Sequence, residues 1–257
     1  MKPFLVLIIF CAAFGSAVAK NKPIPPARHV RFLAVGEAPP FRQEIREGVR
    51  YELEPPANSI PPREVKYGFE EGDTETVRIR LGQISEALKL PQGKGPLILR
   101  KVEENSKSVP WLQLPCPESD DFLVLLWRSS PQGTWAGVKS LVLPDSLTTA
   151  PASGVRVINL ASVDVGIVIG EEKLLLGAGR MIQRQLPERS EQTVEVMIDD
   201  STGNMQRAYA GVICQNPGER GLVIVYQADG EAPRRPVKVS VLREPMPMPP
   251  PDPKVKK

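Results

Sequence analysis

The chain carries one histidine, His29. Histidine is the commonest general acid–base residue, but a Ser-His-acid triad would need a nucleophile turn of the Gly-x-Ser-x-Gly kind, which does not occur. His29 therefore reads as an ordinary residue at the edge of a strand. Zinc needs three or four converging His, Cys or carboxylate ligands, and the sequence sets one histidine against two distant cysteines, Cys116 and Cys214. Calcium takes carboxylate and carbonyl oxygens. Glu118, Asp120 and Asp121 form one acidic cluster and Asp199, Asp200 and Asn204 another. Neither has the EF-hand spacing, and hairpin turns enrich the same residue types. A carboxylate-only glycoside hydrolase works with two acids and no histidine, but nothing selects a pair among 30 Asp and Glu residues. Gly93-Lys94-Gly95 lacks both the upstream glycine (position 88 is Leu) and the following Ser or Thr of a phosphate loop, and reads as a turn. The expectation is a protein without catalysis, cofactor or metal.

Trp111, Trp127 and Trp135 fall within one short stretch, and exposed indoles stack on sugar rings as they do at other interfaces. Trp127 ends an apolar run, which points to core packing. Trp135 follows the turn Ser129-Ser130-Pro131-Gln132-Gly133, so Trp135, with Trp111 beside it, is the expected binding platform. The tail, Pro245 to Pro253, favours polyproline II, which some partners read as a preformed ligand; its alternative is a solvated tail. The balance of 33 Lys and Arg against 30 Asp and Glu leaves a net charge of +3, far from the basic stripe of a nucleic-acid binder. The final Lys254-Val255-Lys256-Lys257 is too short a basic run to anchor the chain on an anionic surface alone.

The first residues predict export. Lys2 precedes an apolar run from Phe4 to Phe14, about 11 residues long, too short for a roughly 30 Å hydrocarbon core. Ala17-Val18-Ala19 matches the small-x-small pattern of signal peptidase, placing cleavage near Ala19 and the mature start near Lys20. Cys11 lies inside the apolar run and behind the bulky Phe10, which argues against a lipoprotein signal. Periplasmic or extracellular residence follows, with no transmembrane segment in the mature chain. An oxidising compartment permits a disulfide between Cys116 and Cys214; the alternative is two separate thiols.

The elements that would position these residues are strands. With 28 prolines and 5% aromatics, few windows escape a helix breaker. Alternating apolar residues mark Val30, Phe32 and Ala34; Val49, Tyr51 and Leu53; Val65, Tyr67 and Phe69; and Val77, Ile79 and Leu81. Phe122 to Trp127 is apolar on both faces, the mark of a strand covered on both sides. Only Ile84 to Leu90 leaves room for a helical turn or two. Pro144 to Ser153 is small and polar, as linkers are. Beyond it, seven or eight strands are expected in roughly 90 residues, with Gly, Asn and Asp between them. The chain is expected to be all-β: a signal peptide (1–19), an extended leader (20–28), a first antiparallel β-sandwich (29–143), a linker (144–153), a second sandwich (154–244) and a Pro-rich tail (245–257). Both sandwiches are expected to be immunoglobulin-like.

Gly154-Val155-Arg156-Val157-Ile158-Asn159-Leu160, then Val165 to Gly170, then Leu176-Gly177-Ala178-Gly179, resembles a pattern in uncharacterised exported bacterial β-sandwich proteins. In that pattern a V-R-x-x-N-L strand and a strand ending at Gly lead to an L-x-P-G turn. The resemblance spans roughly residues 120–244, and Ala178 stands where the pattern has proline. It implies a sandwich and an exported protein, with no activity. The function expected is that of a non-catalytic structural or interaction protein of the envelope, whose partner is another envelope protein. The alternative is a carbohydrate-binding module with a glycan partner.

Overall fold

The computed structural model describes residues 28–102, 109–117, 119–130, 133–199, 203–230 and 233–246. The expected signal segment and cleavage site, the leader up to residue 27, the tail beyond Met246, and Glu118 and Asp200 lie outside the described residues. Among the described residues the chain is all-β, and no helix is long and apolar enough to cross a membrane.

The first half forms β1 (His29–Val35), β2 (Gln43–Arg46), β3 (Val49–Glu52), β4 (Glu64–Gly68), β5 (Thr74–Arg78), β6 (Leu88–Lys89), β7 (Leu97–Lys101), β8 (Leu112–Leu114), β9 (Asp121–Arg128) and β10 (Val138–Pro144). The second forms β11 (Gly154–Asn159), β12 (Val165–Ile169), β13 (Glu172–Leu176), β14 (Met181–Gln185), β15 (Ser190–Asp199), β16 (Met205–Gln215), β17 (Glu219–Gln227) and β18 (Val237–Pro245). The helical turn expected within Ile84 to Leu90 is not formed. Leu88 and Lys89 pair with β1 instead, and Ile84 makes a bridge to Leu33. Proline at 91 and glycine at 82 leave too few residues for a helix, whereas the edge of β1 supplies hydrogen-bond partners.

The two halves repeat one topology. In the first, β6-β1-β9-β10 form one sheet and β5-β4-β7-β8 the other; in the second, β14-β11-β17-β18 and β13-β12-β15-β16 do the same. The strand directions match as well. β1 runs parallel to β9 and β11 parallel to β17, and every other neighbour is antiparallel. Among the described residues the β2–β3 hairpin has no counterpart in the second half and hydrogen-bonds to no other sheet.

Period-2 alternation then explains the layering. Val30, Phe32, Val124 and Leu126 point one way and form a core with Val65, Tyr67, Leu97 and Leu99 of the facing sheet. Val155, Val157, Val223 and Val225 do the same with Val165, Ile167, Val194 and Val196. The opposite faces of the two inner sheets meet each other: Leu33, Val35, Leu123 and Leu125 pack on Ile158, Leu222 and Ile224. Four sheets are thus stacked in four layers. The inner strands are apolar on both faces because both are covered, as Phe122 to Trp127 led one to expect.

Candidate functional site

Neither tryptophan expected as a binding platform is at the surface. Trp135 is completely buried and Trp111 nearly so, both in the first core. The loop after β9 folds inward: Trp135 N donates to Asn58 O (2.8 Å), and Trp111 Nε1 donates to Trp135 O (2.7 Å). Position beside a turn made Trp135 look exposed; a long-range backbone contact pulls the ring under. Cys116 and Cys214 are free. Cys116 packs against the first core and Cys214 lies on β16 in the far outer layer, so both inner sheets lie between the two thiols. His29 Nδ1 lies 2.9 Å from Asp121 Oδ1, one strand away in the parallel pair. No nucleophile accompanies it in the described contacts. Among the described residues no group of three His, Cys, Asp or Glu is placed to hold a metal.

The densest charge cluster is one that spacing in the sequence does not announce. At one end of the seam between the inner sheets, Arg31 contacts Asp145 and Glu244. Arg220 contacts the same two acids, with Nη2 3.2 Å from Asp145 Oδ2. Arg156 Nη1 lies 3.6 Å from Asp145 Oδ1 and donates through Nη2 to Pro144 O and Thr149 O, each at 2.7 Å. Burial pushes the Glu244 carboxyl up, but hydrogen bonding and charge from Arg31, then Arg220, outweigh it and hold the group below the usual carboxylate range. Burial lowers the Arg156 guanidinium, with Asp145 opposing. Each acid is already met by two or more arginines. Glu244, held low by Arg31 and Arg220, is the opposite of the raised-pKa acid that glycoside hydrolysis uses. The cluster also binds the segment between the halves, where Asp145, Ala150 and Ser153 are buried.

The V-R-x-x-N-L stretch earns its polar residues structurally. Arg156 holds the connecting segment, as described. Asn159 is fully buried; its Nδ2 donates to Val163 O (2.8 Å) and Leu176 O (3.1 Å), and its Oδ1 accepts from Ala161 N (3.0 Å). It pins the end of β11 to the end of β13, across the two sheets. Asp164 Oδ1 accepts from Ala178 N (2.9 Å) and fixes the Gly177-Ala178-Gly179 turn.

At the other end of the seam a groove of about 220 Å³ is lined by Trp127, Arg128, Lys139, Leu160, Tyr226 and Asp229. Arg128 is ion-paired to Asp229. Glu37 and Asp229 exchange backbone-to-carboxylate hydrogen bonds, each 3.2 Å, and Lys238 reaches Glu37 at 3.2 Å. Burial, then the charge of Glu37, raises the Tyr226 phenol, so it stays protonated at neutral pH.

The β2–β3 hairpin is different. Glu47 (φ 52) and Gly48 (φ 78) form its two-residue turn, with both central φ values positive as a type I′ turn demands. Phe41 is 69% exposed, Ile45 62%, Val49 53% and Tyr51 49%. Isolated two-stranded hairpins are marginal in water, and this one leaves apolar side chains exposed on both faces, Val49 and Tyr51 on one and Ile45 on the other. The expected strand at Val49 to Leu53 is present; its exposure was not legible from alternation, which normally signals one covered face. In comparison with known proteins, the chain matches no protein-family model and no curated protein significantly.

Proposed function

We propose that the protein is an exported, non-catalytic interaction protein of the bacterial envelope, working by contact through the hairpin borne on its first half. The observation that carries this reading is the hairpin itself. The duplicated topology closes without it, as the second half demonstrates by lacking it, yet it presents Phe41, Ile45, Val49 and Tyr51 to solvent. A feature that folding does not need and that exposes apolar area is best explained by a partner, here another envelope protein. The two units are taken as tandem immunoglobulin-like sandwiches that hold the hairpin on a stiff four-layer stack. Burial of Trp111 and Trp135 removes the support for a glycan platform.

The reading is tested in a strain where deletion of the gene gives an envelope defect. The double variant Ile45→Ser, Tyr51→Ser should fail to complement while keeping its melting transition, and His29→Ala should complement as wild type. A hairpin variant that complements fully would overturn contact through the hairpin. A folded His29→Ala variant that fails would overturn the non-catalytic reading. Mass spectrometry of the product from a Gram-negative host should find a mature start near Lys20; retention of Met1 to Ala19 would overturn export by cleavage.

A further inference from the structure

Resting on the contact reading, we infer that the outer edge of β3 pairs antiparallel with β3 of a second copy, centred on Tyr51. The backbone sets which groups are available. Leu53 N donates to Arg42 O (3.0 Å), so 42/53 is a hydrogen-bonded pair in this ladder, and the alternation makes 44/51 and 46/49 hydrogen-bonded too. The N–H and C=O groups of Arg50 and Glu52 therefore point away from β2, along an edge that no other strand among the described residues covers. Such an edge is a template for another strand.

The side chains favour the same strand of an identical molecule. With the two-fold axis at Tyr51, Arg50 lies opposite Glu52 of the second copy, and Glu52 opposite its Arg50, both as hydrogen-bonded pairs. On the other face Tyr51 meets Tyr51, and Val49 meets Leu53, giving an apolar row that covers Val49 and Tyr51. A shift of one pair in either direction places Arg50 on Arg50 or Glu52 on Glu52, and like charges directly opposite are unfavourable. The sequence thus specifies both partner and register. The outer edge of β2 is a weaker template, because Glu44 and Arg46 already bond each other at 2.8 Å within the strand. Among the described residues Arg50 and Glu52 have no ion-pair partner.

The test is sedimentation of the purified full chain across concentration. Wild type should dimerise. Arg50→Glu or Glu52→Arg alone sets like charges opposite each other twice in one interface and should weaken association about tenfold. The double swap, Arg50→Glu with Glu52→Arg, should restore it. In a Cys11→Ser, Cys116→Ser, Cys214→Ser background, Tyr51→Cys should oxidise to a covalent dimer, because a non-hydrogen-bonded pair brings Cα atoms to about 4.5 Å. Val49→Cys, facing Leu53, should not. All variants should melt as wild type, since these side chains lie outside both cores. A dimer indifferent to the charge swaps, or a chain that stays monomeric and does not crosslink at Tyr51, overturns the inference. If the chain is monomeric and the hairpin variants still fail in the envelope assay, the partner is another protein and the contact reading stands. If those variants also complement, both fall.

Discussion

Arg31, near the start of β1, binds Glu244, near the end of β18, with Nη2 3.2 Å from Oε1. The two side chains join the inner sheets of the two halves, and Asp145 and Arg220 complete the cluster from the connecting segment and β17. Removing one partner of a largely buried network leaves the others uncompensated. Arg31→Ala should therefore lower stability by about 3 kcal/mol, measured as a shift in urea midpoint at unchanged slope.

Acid should act on the same cluster. The carboxyl of Glu244 is held below its ordinary value of 4.5 by Arg31 and Arg220, against the opposing effect of burial. The stability it contributes is fully present above that value and is lost as pH falls through the lowered native one, because the unfolded chain then binds the extra proton. Wild type should lose melting temperature steeply below about pH 4.5, and Glu244→Gln should start less stable and show a shallower fall. Parallel slopes for the two proteins would assign the acid sensitivity elsewhere.

Asn159 should tolerate nothing else. Its amide donates to the carbonyls of Val163 and Leu176 while its oxygen accepts from Ala161. Asn159→Ala leaves buried backbone groups unpaired and should cost about 2–4 kcal/mol. Asn159→Asp should cost at least as much, because a carboxylate would face those carbonyls with no proton to donate. Thermal melts of both variants check the order.

Trp135 and His29 should separate core from surface. Trp135→Ala empties a fully buried site and should cost about 4 kcal/mol. His29→Ala removes one arm of a half-exposed pair with Asp121 and should cost at most about 0.5 kcal/mol. Denaturant titrations that gave comparable losses would mean that the loop holding Trp135 is not folded inward.

Residues 150–245 made alone should melt cooperatively, since Val155, Val157, Val194, Val196 and their neighbours form a core that needs nothing from the first half. The fragment should nevertheless melt below the full chain and bind a hydrophobic dye, because Ile158, Leu222 and Ile224 lose the cover of Leu33, Leu123 and Leu125. A dye-binding fragment without a cooperative transition would make the two halves one folding unit.

Strand positions were legible wherever alternation was local, as at Val30 to Ala34 and Val65 to Tyr67. What alternation could not say was what lay on the second face: Leu33 and Val35 look like an ordinary outward row until Ile158 and Ile224 are placed over them. The charge cluster was hidden for a related reason. Arg31, Asp145, Arg220 and Glu244 are brought together by sheet order, and no spacing along the chain encodes that. One signal of the repeat lies in the sequence itself. Val30-Arg31-Phe32-Leu33 and Val155-Arg156-Val157-Ile158 occupy equivalent strands, as do Leu123-Val124-Leu125-Leu126-Trp127 and Leu222-Val223-Ile224-Val225-Tyr226. Comparing the halves with each other would have exposed the repeat, and with it the hairpin as the piece without a counterpart. Trp135 stayed illegible because a loop's path inward depends on a distant acceptor, Asn58 O.

The contact between Arg31 and Glu244 also fixes where the chain enters and leaves the fold. β1 begins two residues before Arg31 and β18 ends one residue after Glu244, so both exits sit at the same end of the seam. Tension applied between the two ends would meet this cluster of arginines and carboxylates before it reached either hydrophobic core. The first mechanical event would be rupture of this ionic latch, with the apolar seam of Leu33, Leu123, Ile158 and Ile224 next in line. A chain pulled in this way would lengthen in steps and could close again when the load is removed.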